Sequence, residues 1–247
     1  MLVLAALMSL ASDGVGQGQC VHRLGFTGAM SGPNQSLGKE IRQGIEGYLR
    51  AEYPSGRVCL IALDDGYVAD QAEANMRKLV SEESVLAVIG SVGTPTGIRT
   101  APIAREEQTL LFAPFTGARA QLRDPPSPYV VHLRASYRDE IFAMVSQLDS
   151  AGIRTHEIGF FLHGDRYGKE GYEAGEEALA AMGYGIPVSP DSLPRGWYEG
   201  NTVDVEEAVV SLLSEPRPLR AIIMVGAYGA SARFIQIMRR AAPHTIF

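Results

Sequence analysis

The chain is short of several things that would settle its chemistry at once, and each shortage excludes something. Its two cysteines, Cys20 and Cys59, are too few for a disulfide framework or a thiolate metal site. Its five histidines, His22, His132, His156, His163 and His244, show no HxxxH or HExxH spacing, so no metal is expected. No phosphate loop ends in Gly-Lys-Ser/Thr, and no GxGxxG turn stands between a strand and a helix, so no cofactor is expected either. Lys and Arg number 22 against 28 Asp and Glu, for a formal net charge of -6. The basic residues are scattered, which leaves no electrostatic footprint for a nucleic acid and no support for adsorption to a membrane surface. A serine nucleophile would want Gly-x-Ser-x-Gly; the turns around Ser31 and Ser91 miss that spacing by one residue, so no enzyme is expected.

The cysteines read most simply as two buried, inert thiols at the starts of predicted strands. A single bridge between adjacent strands is the alternative, and it suits an exported protein. Met1–Ala11, MLVLAALMSLA, is of secretory h-region length and too short to span a bilayer. It lacks a basic n-region, so residues 1–19 are either a signal peptide or an incidental apolar tail.

What remains is ample for an α/β protein: 247 residues can bury a sizeable core in one large domain or two small lobes. The chain is organised around Ala87–Thr96, AVIGSVGTPT, echoed by Leu110–Ala118, LLFAPFTGA. Each is an apolar run of buried parallel-strand type ending in Gly, Ser, Thr and Pro. Neighbouring strands would thereby deliver hydroxyl-rich turns to the C-terminal edge of the sheet, where open α/β sheets bind ligands.

Around that centre a βα rhythm repeats, implying mostly parallel sheets with right-handed crossovers. Strands are expected at Cys20–Phe26, Val58–Leu63, Leu86–Ile89, Leu110–Ala113 and Tyr129–Leu133. Helices fall between them at Gln35–Glu52, Asp70–Glu82 and Thr94–Glu107, the last with Thr94 as N-cap and Pro95 at the first helical position. The rhythm restarts near residue 135, which suggests a second lobe. It has helices at Arg138–Ala151, Tyr167–Met182, Val203–Leu213 and Ser231–Arg240, and strands at Glu157–Leu162 and Arg220–Val225. Gly183–Gly200 reads as irregular, with one short strand at Gly185–Val188. Thr245–Phe247 reads as the opening of a further strand, so the chain is expected to be a fragment of something longer, with an exposed sheet edge.

Gly90, Gly93 and Thr94 stand at a helix N-terminus, where free N–H groups and the helix dipole favour an anion; the plainer reading is that they only turn and cap the chain. Phe115, Thr116 and Gly117 leave the next strand at the same edge, where Phe115 either lines a pocket or ends a core strand. Asp64-Asp65 precedes Gly66, a turn signature, and is expected in a surface turn. Tyr137, Tyr167, Trp197 and Tyr228 fall in or near turns after apolar segments and could line a polar-mouthed cleft.

From Cys20 to Phe247 the chain resembles the periplasmic substrate-binding proteins of ABC transporters, in the type I (leucine/isoleucine/valine-binding) family. The resemblance rests on FTGAMSGP at 26–33, ALDDG at 62–66, IGSVGTPT at 89–96, APFTGA at 113–118 and DRYG at 165–168, in that order. It implies two Rossmann-like lobes with parallel sheets, here 20–134 and 135–247, the second lobe and the return crossings being incomplete. It implies a ligand held by Ser91, Gly93, Thr94, Phe115, Thr116 and Gly117 on one side, with Thr94 and Thr116 at its carboxylate. Tyr137, Tyr167 and Tyr228 would form the facing wall. The implied ligand is an amino acid, an amide or a small carboxylate, the implied partner an ABC transporter permease, and the implied location periplasmic or extracellular. Two departures stand out: no acidic residue accompanies Ala227-Tyr228 to meet a ligand's ammonium, and the first-lobe motifs match a looser branch that includes binders of amides, ureas and aromatic acids. A ligand-sensing domain of a regulatory system is the alternative, and a small hydrolase using Ser31 or Ser91 a more distant one.

Overall fold

Residues 20–182 and 193–247 are described by the computed structural model; the apolar N-terminal run and the strand expected at 185–188 lie outside them. The first lobe is a parallel sheet of β1 (His22–Gly28), β2 (Val58–Asp64), β3 (Ala87–Ile89), β4 (Leu110–Phe112) and β5 (Val130–Val131), in the order β2-β1-β3-β4-β5. The chain runs outward from β1 to β2, then returns to β1's other side and continues through β3. Strand order therefore reverses at β1, the place where an open α/β sheet opens a crevice.

Three helices cover this sheet: α1 (Gln35–Glu52), α2 (Ala69–Ser81) and α3 (Thr94–Glu106). α1 forms where Leu37, Ile41, Ile45 and Leu49 repeat at helical spacing, although Tyr48 points to solvent at 63% exposure. The core gathers Met76 and Leu79 of α2, Val88 of β3, Ile103 and Ala104 of α3 and Leu111 of β4. Burying one such aliphatic side chain contributes about 1.5–3 kcal/mol.

The second lobe is a parallel sheet of β6 (Ile158–His163), β7 (Arg195–Tyr198) and β8 (Ala221–Val225), in the order β7-β6-β8. β6 is central and buried throughout, and its alternation divides two cores. Phe160 and Leu162 face α4 (Tyr137–Ser150) and α5 (Arg166–Ala181). Phe161 faces α6 (Glu206–Leu213) and α7 (Tyr228–Ala241), stacking on Phe234 at 4.2 Å between ring centroids. α4 begins in a capping box between Ser136 and Asp139, and α5 on the Asp165 side chain, so both have their first N–H groups satisfied.

Several expectations are corrected. Cys20 and Cys59 are a disulfide, 5.8 Å apart at Cα, because β1 and β2 are adjacent parallel strands and the bridge ties their N-terminal ends. The region expected to be irregular contains β7, which pairs with the central strand β6, and Trp197 lies in β7 beside Tyr172 rather than in a turn near the cleft. Near the C-terminus, Ile246 pairs with the β8 edge: its N–H donates to Arg220 O and its C=O accepts from Ile222 N, each at 2.9 Å. The start of that edge is therefore covered.

Candidate ligand-binding cleft

β3 and β4 do bring their C-terminal turns together. Phe115 N–H donates to Ser91 O at 2.7 Å and Gly93 N–H to Phe115 O at 3.3 Å, so the two corners are zipped backbone to backbone. Gly93 adopts φ 110°, and a Cβ there would stand 2.6 Å from a ring carbon of Tyr67, which only glycine avoids. Gly93 is the N-cap of α3 and Thr94 its first residue. The Thr94 hydroxyl consequently does not cap the helix, as its position in the sequence suggests. It lies 2.8 Å from Thr116 Oγ1 and 3.1 Å from Tyr137 Oη, and Thr116 Oγ1 lies 3.2 Å from Tyr137 Oη.

Beside this triangle opens a cavity of about 190 Å³, smaller than the roughly 300–1,000 Å³ that takes drug-sized ligands. Its first-lobe wall carries Gly93, Thr94 and Phe115, its crossing wall Tyr137, and its second-lobe wall Tyr167, Ala227 and Tyr228. Of the residues singled out from the sequence, Ser91, Thr116 and Gly117 are not on these walls. Ser91 is fully buried and contributes its carbonyl to the corner. Thr116 is fully buried behind Thr94. Gly117 receives the start of α4: Tyr137 N–H donates to its carbonyl at 2.9 Å, and a Cβ on Gly117 would fall 2.6 Å from the Tyr137 ring.

The walls also include Asn34, Leu37, Tyr67, Val92, Arg134 and Gly226, which sequence reasoning left out of the site. Tyr67 reaches the cleft because the Asp64–Gly66 turn leaves it at φ 65°, a conformation with no periodic signature. Beneath it, Asp65 is buried rather than on the surface, accepting from Thr27 Oγ1 and Tyr67 N at 2.9 Å each. Burial pushes its carboxyl up to about 6, against these hydrogen bonds. Asp64 stays exposed, and hydrogen bonds from Ser31 and the Met30 and Gly66 amides outweigh desolvation and hold its carboxyl low. Burial also raises the phenols of Tyr67 and Tyr167, so both meet the cleft as neutral O–H groups.

Besides the Tyr137 contacts with Thr94, Thr116 and Gly117, two further sets of contacts join the lobes. At the cleft wall, Asn34 Nδ2 donates to Asn201 Oδ1 at 2.7 Å and Asn201 Nδ2 to Gly66 O at 3.3 Å. The Tyr67 ring lies 5.7 Å from that of His163 on β6. Away from the cleft wall, the buried Glu170 of α5 accepts from Arg119 N at 2.9 Å and Ala120 N at 3.2 Å, and pairs with Arg166. Backbone amides of one lobe thus close on a carboxylate of the other.

Two parallel-sheet lobes with a small cleft between them, walled from both, match a known architecture. A family model described as "Periplasmic binding protein" matches residues 22–236. The chain belongs to the periplasmic binding proteins, in their type I group. Membership of this family carries a periplasmic or extracellular location and a non-catalytic role. Among solved structures, a possible leucine/isoleucine/valine-binding protein of Rhodopirellula baltica SH 1 is 40% identical, with a TM-score of 0.81 over 93% of this chain and 62% of that one. A substrate-binding periplasmic protein of Ralstonia solanacearum is 24% identical, with a TM-score of 0.78 over 91% of this chain and 62% of that one. An ABC transporter solute-binding protein of R. palustris, in complex with benzoate, is 19% identical, with a TM-score of 0.76 over 90% of this chain and 60% of that one; the last two likenesses speak for the fold alone. The chain spans less than two thirds of the length of each of these relatives. No curated protein matches it.

Proposed function

We propose that the cleft binds a small carboxylate-bearing solute of amino-acid size and that the loaded protein presents it to an ABC transporter permease. The observation that carries this reading is that one cavity takes walls from both lobes, which are hydrogen-bonded across its edge through Asn34 and Asn201. A solute touching both walls binds the closed arrangement better than the open one and so shifts that equilibrium. In this reading the polar head lies on the wall that carries Gly93, Thr94 and Arg134, and the apolar body lies against Phe115, Tyr137 and Tyr167. The 40%-identical relative supports the ligand class, since it is described as a possible leucine/isoleucine/valine-binding protein and those ligands are carboxylates.

Thermal-shift and calorimetric titration of the chain against amino acids, their amides and simple organic acids tests the proposal. A saturating ligand at a hundredfold its Kd should stabilise the fold by about 2.7 kcal/mol. A folded chain whose transition does not move with any of these solutes would remove the receptor reading.

A further inference from the structure

The hydroxyls expected to receive the solute's negative end are engaged with one another. Thr94, Thr116 and Tyr137 form a closed triangle with sides of 2.8, 3.1 and 3.2 Å, and a hydroxyl has one proton to donate. Passed round the triangle in one direction, all the protons are used. Thr116 Oγ1 additionally accepts from Ala118 N at 3.1 Å. An entering carboxylate would have to break this arrangement to gain a donor from any of these three hydroxyls.

A stronger donor stands on the same wall. Arg134, in the crossing between the lobes, lines the cavity. Its guanidinium lies 5.2 Å from the ring centroid of Phe115 and 5.3 Å from that of Tyr137, two rings that also line the cleft. Its backbone is fixed because Arg134 O accepts from Arg123 Nη2 at 2.8 Å. A guanidinium carries five N–H groups on a planar fork. The Arg134 side chain donates through Nη2 to Glu140 Oε1 at 2.5 Å. Glu140 does not line the cavity, so it holds the fork from outside. Among the described residues that line the cavity no Asp or Glu occurs, and of these the charged one facing a solute is Arg134.

We propose that Arg134 reads the charge of the solute: the part of its fork not held by Glu140 binds the carboxylate, and the cleft takes a simple organic anion with a flat apolar body in preference to a zwitterionic amino acid. This rests on the receptor reading above and narrows it. An α-ammonium brought in with the carboxylate would enter a wall whose charged member is already positive. A ring lying against Phe115, Tyr137 and Tyr167 instead gains aromatic contacts of edge and offset type. Glu140 competes for the same guanidinium and so sets how tightly the anion is held.

The experiment is isothermal titration of the chain with benzoate, benzamide, L-phenylalanine and L-leucine, repeated on Arg134→Gln, Arg134→Lys and Glu140→Gln. Benzoate should bind more tightly than benzamide or either amino acid. Arg134→Gln should weaken benzoate at least tenfold, Arg134→Lys should restore only part of that, and Glu140→Gln should strengthen it. If Arg134 served only to anchor Glu140, both glutamine variants would move affinity in the same direction, which would overturn the proposal. Amino-acid binding tighter than benzoate binding, or unaltered by Arg134→Gln in a variant with native circular dichroism, would also overturn it while leaving the receptor reading intact. A folded chain that binds none of the four probes would remove both.

Discussion

At the scale of single residues, burial decides what each polar group near the cleft can do. Thr94 is a member of a hydroxyl triangle and not a helix cap, so Thr94→Val keeps the shape, leaves the cap untouched and strips one donor and acceptor. A loss of about 1–2 kcal/mol in urea unfolding is expected, the cost of an unmade buried hydrogen bond. Asp65 gives the chain a pH dependence with a definite sign. Its carboxyl sits at about 6 when folded against 3.8 for the ordinary group, so the folded chain holds that proton more tightly than the unfolded one. The contribution is complete below the lower value and is lost as pH rises through the upper one, by at most roughly 3 kcal/mol. Asp65→Asn keeps one oxygen, enough for the Tyr67 N–H but not also for Thr27, and, having no proton to lose, should flatten this limb when unfolding midpoints are compared between about pH 4 and about pH 7. Little of this was legible beforehand. A Thr-Pro pair after a strand looks like a cap in any sequence, and only the fold reveals that Gly93 takes the capping place and sends the hydroxyl sideways. Asp65 looks like its neighbour Asp64 until the turn buries one and exposes the other.

At the scale of elements, patterns with a strong period were readable and short or singly partnered segments were not. α1 runs over Gln35–Glu52, the span its apolar spacing indicates, and the strands before the two glycine-bearing corners lie side by side. β7 was hidden because Arg195–Tyr198 holds a glycine and an arginine and gains its strand character from pairing with β6, a tertiary effect that local propensity does not carry. The disulfide was legible only as the alternative to two buried thiols, since the residues are 39 apart in sequence and meet only once β1 and β2 pair. Closing a loop of that length restricts the unfolded chain and should contribute roughly 2–4 kcal/mol. The double variant Cys20→Ser with Cys59→Ser should lose that amount in urea unfolding, and the untreated protein should do the same when a reductant is added. An oxidised and a reduced chain of equal stability would contradict it.

At the scale of the whole molecule, the joints between the lobes differ in character. Asn201 sits at φ 59° in the turn after β7 and reaches both Asn34 and Gly66 of the first lobe; asparagine tolerates that conformation better than other side-chain-bearing residues. Asn201→Ala removes both bonds and should weaken solute binding roughly tenfold, mainly through faster release in stopped-flow dissociation. The fold class and the two-lobe plan were legible from the alternating rhythm. The ties were not, because each joins residues more than a hundred positions apart or, for Glu170, a helix face to a loop. Glu170 grips Arg119 and Ala120 through two main-chain amides, a joint that among first-lobe exchanges at these two positions only proline would strip of a donor. Beside the cavity the lobes meet instead through the Asn34–Asn201–Gly66 bonds and the Tyr67–His163 ring contact, so of the two joints this one, built largely on side chains, is the one that substitution loosens more readily.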